Sequence, residues 1–199
     1  MKPNILYYIC HDLGRYLNCY GRPGVPSPHL DRLAGEGVRF THLYGASTPC
    51  SPARGCVMTG RYAHQQGLMG LAHKGWEYKD GTRTIVHDLN DAGYHTRLVG
   101  FEHESADVNR LGYQHVWRDS MRADHVADEA IRFLRSDEAR GGPFFLSLGT
   151  GEVHLSFDRD YYRPDDPAEV ELPSFLPDNE VNRRQIAMFH GAIRFMDEH

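Results

Sequence analysis

Ile5-Leu6-Tyr7-Tyr8-Ile9-Cys10 is an unbroken apolar run that stops abruptly at His11-Asp12-Leu13-Gly14. Apolar residues without polar alternation fit a strand buried on both faces, as in a parallel or mixed sheet covered by helices. Residues 94–99 and Pro143-Phe144-Phe145-Leu146-Ser147-Leu148-Gly149 repeat the pattern, with helical periodicity between them. Residues 84–92 put Ile85, Val86 and Leu89 on one face ahead of Gly93; residues 124–134 do so with Val126, Ala130, Ile131 and Leu134. Ser27 and Pro28 suit the N-cap and first position of another helix, striped by Leu30, Leu33 and Ala34 and ended by Gly35 and Gly37. Residues 38–44 read as a short strand, residues 158–179 as a Pro- and acid-rich surface excursion, and residues 181–199 as a last helix. Strands alternating with helices predict an α/β fold, a mixed, largely parallel sheet flanked by helices.

Ligands of open α/β sheets gather beyond the carboxyl ends of the strands. His11 and Asp12 occupy such a place and either serve chemistry or cap the next turn. His103, in Gly100-Phe101-Glu102-His103-Glu104, and His154, after the 143–149 run, stand in comparable positions. The most informative loop is Thr48-Pro49-Cys50-Ser51-Pro52-Ala53-Arg54, followed by Thr59-Gly60-Arg61. Pro49 and Pro52 restrict the backbone and suit the start of a helix, which puts Cys50 at a helix N-terminus, where N–H groups and the dipole attract anions. Arg54 follows one turn later on the same face. A thiol and a fork of donors at one helix start can receive a tetrahedral oxyanion, unless the cysteine is simply structural.

The Cys50-Ser51-Pro52-Ala53-Arg54 string with Thr59-Gly60-Arg61 resembles the core signature of type I sulfatases, in the alkaline-phosphatase-like superfamily. The Pro28-x-Leu30-Asp31-x-Leu33-Ala34 block resembles a landmark of the same family. The His64-Gln65-Gln66-Gly67-Leu68-Met69-Gly70-Leu71 block is similar to the heparan N-sulfatase-like branch and its bacterial relatives. The resemblance implies that Cys50 is converted to formylglycine by a formylglycine-generating enzyme. It further implies that the hydrated aldehyde attacks sulfur, that Arg54 steadies it, and that His103 and His154 handle protons. A divalent metal is implied at Asp12, His11 and residue 50. Calcium is the family's usual ion, with magnesium, manganese or zinc as alternatives, and an imidazole at position 11 points either to a softer ion than calcium or to a residue that does not ligate. His64 and His73 either line the substrate pocket or sit in a surface loop. Phe101 stands where the family has a sulfate-binding lysine, so Lys74 or Arg97 is the candidate replacement cation.

These readings imply a hydrolase of sulfuric esters or N-sulfates on a small molecule or sugar. The alternatives are a phosphonate or phosphodiester hydrolase on the same scaffold, or an inactive sulfatase-like fragment that binds ligands. The family runs to more than twice 199 residues, so residues 1–199 are expected to be the N-terminal part of a C-terminally truncated catalytic domain. A net charge of −5 argues against a dedicated nucleic-acid binder. No apolar run reaches the roughly 18 residues of a membrane helix. Met1-Lys2-Pro3 leads straight into the first strand without an export segment. The four cysteines, at positions 10, 19, 50 and 56, lack a CxxC pair. A cytoplasmic setting is the expectation. The oligomeric state is open.

Overall fold

The computed structural model describes residues 2–22 and 24–199. These divide into two compact units, one of residues 2–9, 43–121 and 125–149, the other of residues 10–42, 122–124 and 150–199. Four strands, β1 (Ile5–Ile9), β2 (His95–Gly100), β3 (His115–Trp117) and β4 (Phe144–Gly149), form a parallel sheet in the order β1-β4-β2-β3 within the first unit. The helices in chain order are α1 (Pro28–Glu36), α2 (Cys50–Thr59), α3 (Ala63–Gln66), α4 (Ile85–Asp91), α5 (Ala123–Leu134), α6 (Asp137–Arg140) and α7 (Glu180–Glu198).

β4 lies between β1 and β2, and all six of its residues are buried. Its side chains alternate between faces, as a strand's must. Phe144, Leu146 and Leu148 pack with Val99 and with Val126, Ala130 and Phe133 of α5, while Phe145 packs with Met58, Val86 and Tyr94. Each such burial contributes roughly 1.5–3 kcal/mol of transfer free energy. Two expectations need correction here. β1 is covered on one face only in part and hardly at all on the other: Ile5, Tyr7 and Ile9 are half-buried, while Leu6, 53% exposed, and Tyr8 point away from them. On α5 it is Phe133 that enters the core, while Ile131 and Leu134 face outward. β3 was not anticipated; three residues, His-Val-Trp, carry too little pattern to mark a strand.

Gly100 and Gly149 are register partners at the carboxyl ends of β2 and β4. Gly100 has φ +86°, and the Phe101 N–H donates to the Gly149 carbonyl at 2.7 Å. A Cβ on Gly149 would lie 1.8 Å from the Phe101 oxygen. Only glycines admit this crossing, which swings residues 101–105 sharply away from the strand.

In the second unit, Leu13, Leu17, Val25, Val153, Tyr162, Ala192, Ile193 and Met196 form one core cluster. The N-terminus of α1 is satisfied differently from expectation. Ser27 holds the N-cap position but makes no side-chain cap bond; the N–H groups of His29 and Leu30 instead donate to the Asp197 carboxylate at 2.9 and 2.8 Å. The α1 stripe is also less buried than predicted, since none of its residues is fully buried and Leu33 is exposed. Val170 packs with Ile186 and Ala187 of α7, so the 158–179 segment is more than a surface excursion. Residues 38–44 hold no strand, and Val38, Phe40, Leu43 and Tyr44 are exposed. Apolar letters make a strand only where a neighbouring strand accepts the ladder. No helix among the described residues is long and apolar enough to cross a membrane.

Candidate functional site

In the first unit, α2 starts at Cys50 after Pro49, whose φ of −67° and ψ of +147° make it the extended N-cap residue. Pro52, within the first turn, forfeits an N–H that has no helical partner there. The helix ends at Gly60, in the left-handed region at φ +64°. The Cys50 thiol therefore sits where the first-turn N–H groups and the helix dipole converge.

Cys50 Sγ lies 3.0 Å from Nδ1 of His103, and Nε2 of His103 lies 2.7 Å from Nδ1 of His73. The two imidazoles are nearly parallel, 3° apart in plane. Each contact needs one proton between its two atoms, so the thiol and two imidazoles form a path along which a proton can shift. Strand β2 and the Gly100 turn deliver His103. His73 is delivered by a short helical turn, residues 72–74, anchored to α2: the Ala72 N–H donates to the buried Ser51 Oγ at 3.0 Å. Ser51 was not singled out from the sequence, and only its long-range partner reveals its role.

Arg54 is 4% exposed, and its guanidinium lies 5.0 Å from the centre of the Phe101 ring. The Phe101 ring thus supports the arginine by a cation–π contact. Glu104, also missed, is buried close enough to Arg54 for the two charges to interact, and its Oε2 accepts the His103 N–H at 2.9 Å. Glu102 Oε2 accepts the Glu104 N–H at 2.9 Å, and Arg118 pairs with Glu102 at 3.0 Å. A motif that places two acids around a histidine at a strand end was the available signal.

Burial above all pushes the Glu104 carboxyl up, to about 7; Arg54 opposes this and the Glu102 charge adds to it. The folded value lies above the unfolded one, so the folded chain holds this proton more tightly. Its stabilisation is complete below the unfolded carboxyl value and is lost as pH rises through about 7. Denaturant unfolding of the wild-type chain is expected to give a stability lower at pH 8 than at pH 5 by on the order of 3 kcal/mol from this group. Glu104→Gln, which keeps an oxygen for the His103 N–H, should flatten most of that dependence.

Other candidates lie elsewhere in this unit. His64 is exposed on α3, its ring stacked on Tyr62 at 5.9 Å. Lys74 is exposed at the end of the turn that carries His73. Arg97 is engaged on β2: Nη2 binds Glu138 at 2.8 Å, Nη1 lies 3.9 Å from Glu129, and the guanidinium stacks on Phe133. It holds sheet to helices and is not the replacement cation.

In the second unit, His11, Asp12 and His154 come together, with one donor atom from each within 4.8 Å of the others. The main chain clamps this group: the His11 N–H donates to the Glu152 carbonyl at 2.9 Å, and the Val153 N–H donates to the His11 carbonyl at 3.2 Å. His11 is 5% exposed, its ring perpendicular to that of His154 at 5.2 Å. Asp12 adopts φ +46°, a left-handed conformation that Asp tolerates better than most residues. His154 Nε2 lies 3.9 Å from Asp12 Oδ2, and its Nδ1 lies 2.6 Å from the Leu155 carbonyl. His154, which the resemblance groups with the proton-handling residues, sits beside His11 and Asp12. None of the four cysteines forms a disulfide among the described residues.

The family description Sulfatase matches residues 3–199. An N-acetylgalactosamine-6-O-sulfatase of Bacteroides thetaiotaomicron is 43% identical over 105 residues, covering 51% of this chain and 20% of that protein. The human N-sulphoglucosamine sulphohydrolase is 24% identical over 227 residues, covering 98% of this chain and 45% of that protein. The crystal structure of a phosphonate monoester hydrolase of Agrobacterium radiobacter superposes with a TM-score of 0.75 at 16% identity, covering 99% of this chain and 57% of that one. The chain thus spans between a fifth and three fifths of the length of these proteins. A parallel sheet that delivers His103 to a cysteine at a helix start is the expected frame for that signature, and the match runs across nearly every residue: the chain belongs to the sulfatase family.

Proposed function

We propose that this chain is the N-terminal part of a sulfatase catalytic domain and supplies the nucleophile-bearing half of a hydrolase acting on sulfuric esters or N-sulfates. The observation that carries the reading is the Cys50–His103 contact at 3.0 Å at the head of α2, with Arg54 buried one turn later. Conversion of Cys50 to formylglycine by a maturation enzyme would supply an oxygen nucleophile there. Arg54, held on Phe101, neutralises negative charge that builds on the sulfuryl oxygens. The start of α2 adds its N–H groups and dipole to the same end. His103 takes or returns a proton at Nδ1, and His73 orients the ring and shares the charge through Nε2.

His11, Asp12 and His154 fit a divalent cation, since their donor atoms converge and include a carboxylate oxygen and imidazole nitrogens. A bound cation would supply Lewis-acid polarisation. The N-acetylgalactosamine-6-O-sulfatase and N-sulphoglucosamine sulphohydrolase relatives favour a sulfated sugar as substrate. The phosphonate monoester hydrolase, of similar fold, favours a second reading, hydrolysis of phosphonate or phosphate diesters.

Co-expression with a formylglycine-generating enzyme, followed by mass spectrometry of the peptide spanning residue 50, tests the first step. An aldehyde at residue 50 is the expected result, and a fully retained thiol sinks the sulfatase reading. Parallel assays on aryl sulfates and aryl phosphodiesters then separate the two substrate classes. Faster turnover of the sulfate supports the first reading, and faster turnover of the diester supports the second.

A further inference from the structure

We infer that His154 is a metal ligand alongside His11 and Asp12, and that this group selects a late first-row divalent ion such as zinc, cobalt or nickel over calcium. The inference deepens the cation-binding part of the proposed function and rests on it.

The tautomer of His154 carries the argument. Its Nδ1 lies 2.6 Å from the Leu155 carbonyl oxygen. A carbonyl can only accept, so Nδ1 bears a proton, and in the neutral ring Nε2 then keeps its lone pair. Nε2 is also the atom that faces Asp12, 3.9 Å from Oδ2. Metal-binding histidines are commonly arranged this way, with one ring N–H tied to a backbone carbonyl so that the other nitrogen is oriented and made more basic. A histidine acting as a proton donor to a leaving group has no such requirement.

The spacing agrees. Two ligand atoms each about 2.1 Å from one ion can stand no more than about 4.2 Å apart. The 3.9 Å separation of Nε2 and Oδ2 falls inside that limit and is too long for a hydrogen bond between them; the three donor atoms all lie within 4.8 Å of one another, a span that small side-chain rotations close onto one ion. The main-chain pairing of His11 with residues 152 and 153 holds the two parts of the cluster together. Their perpendicular rings, 5.2 Å apart, approach without stacking face to face.

Donor chemistry decides the ion. Calcium takes six to eight oxygens. Two imidazoles and one carboxylate offer a single oxygen-bearing side chain, and imidazole suits zinc, iron, cobalt and nickel. Two histidines and a carboxylate on one side of an ion also leave positions open for water or a sulfuryl oxygen.

The test is direct metal binding to the full chain after chelator treatment, read by isothermal titration with Zn²⁺, Mn²⁺ and Ca²⁺ and by the visible d–d bands of Co²⁺. The inference expects one Zn²⁺ or Co²⁺ per chain, bound at least ~100-fold more tightly than Ca²⁺. His154→Ala and Asp12→Asn should each weaken Co²⁺ binding by ~10-fold or more and change its bands, whereas the control His42→Ala should not. Asparagine is chosen at position 12 because it tolerates the left-handed backbone there. His154 and Asp12 are both exposed, so circular dichroism should show the fold retained in both variants. Calcium binding as tight as zinc, or Co²⁺ binding untouched by both variants, overturns the inference. Neither readout uses turnover or the state of residue 50, so this inference can fail while the sulfatase reading stands, and the reverse.

Discussion

Cys50→Ala should abolish turnover of an aryl sulfate by the matured protein, lowering kcat by about 10⁴-fold or more, the scale on which loss of a nucleophile acts. The side chain stands at the head of α2, 3.0 Å from His103 Nδ1, and no other described cysteine shares that position. Cys10 and Cys19 belong to the second unit, and Cys56 is buried within α2. Alanine keeps the helix start, which Pro49 and Pro52 shape, so the loss should come with a stability change of about 1 kcal/mol or less. Activity assays beside a denaturant melt distinguish the two effects. Turnover persisting within about tenfold of wild type would place the nucleophile elsewhere.

The second large effect is expected at Arg54. Arg54→Ala removes a buried cation that rests on Phe101 and faces Glu104. Turnover should fall by about 10²–10³-fold, the usual cost of one charge-stabilising donor. Stability should fall as well, by roughly 3 kcal/mol near neutral pH, because Glu104 is left buried with its opposing charge gone. The pH dependence has a definite sign. Arg54 pulls the Glu104 carboxyl down, so its removal pushes that group further up and the chain must fold around a protonated acid. The destabilisation should therefore be small at pH 5 and grow toward pH 8. Arg54→Lys should recover little turnover, since an ammonium neither stacks flat on Phe101 nor presents a fork of donors. Equal destabilisation at both pH values would show that packing, and not the charge pair, sets the cost.

These effects concern different parts of one arrangement. The Gly100 crossing presents Phe101, His103 and Glu104 in five residues, and α2 presents Cys50 and Arg54 in five more. Phe101 supports Arg54, Glu104 balances Arg54 and ties down the His103 backbone, and Ser51 anchors the turn that carries His73.

What could be read from the letters alone was local or strongly periodic. Pro49 and Pro52 act on their own backbone, so the start of α2 was legible without knowing what surrounds it. The run before His11, the run ending at Gly149 and the helices at α4, α5 and α7 have periodicities long enough to survive any packing. Everything that needed a distant partner had to wait for the folded chain. Asp197, and not Ser27, completes the start of α1; Phe133, and not Ile131, fills the core under β4; residues 38–44 have the composition of a strand and no ladder. His154 joins His11 and Asp12 across 142 positions of sequence, and Ser51 finds Ala72 across 21. A residue's type limits which bonds it can make, but only chain closure selects the partner, because that choice turns on distances between segments that no local pattern encodes.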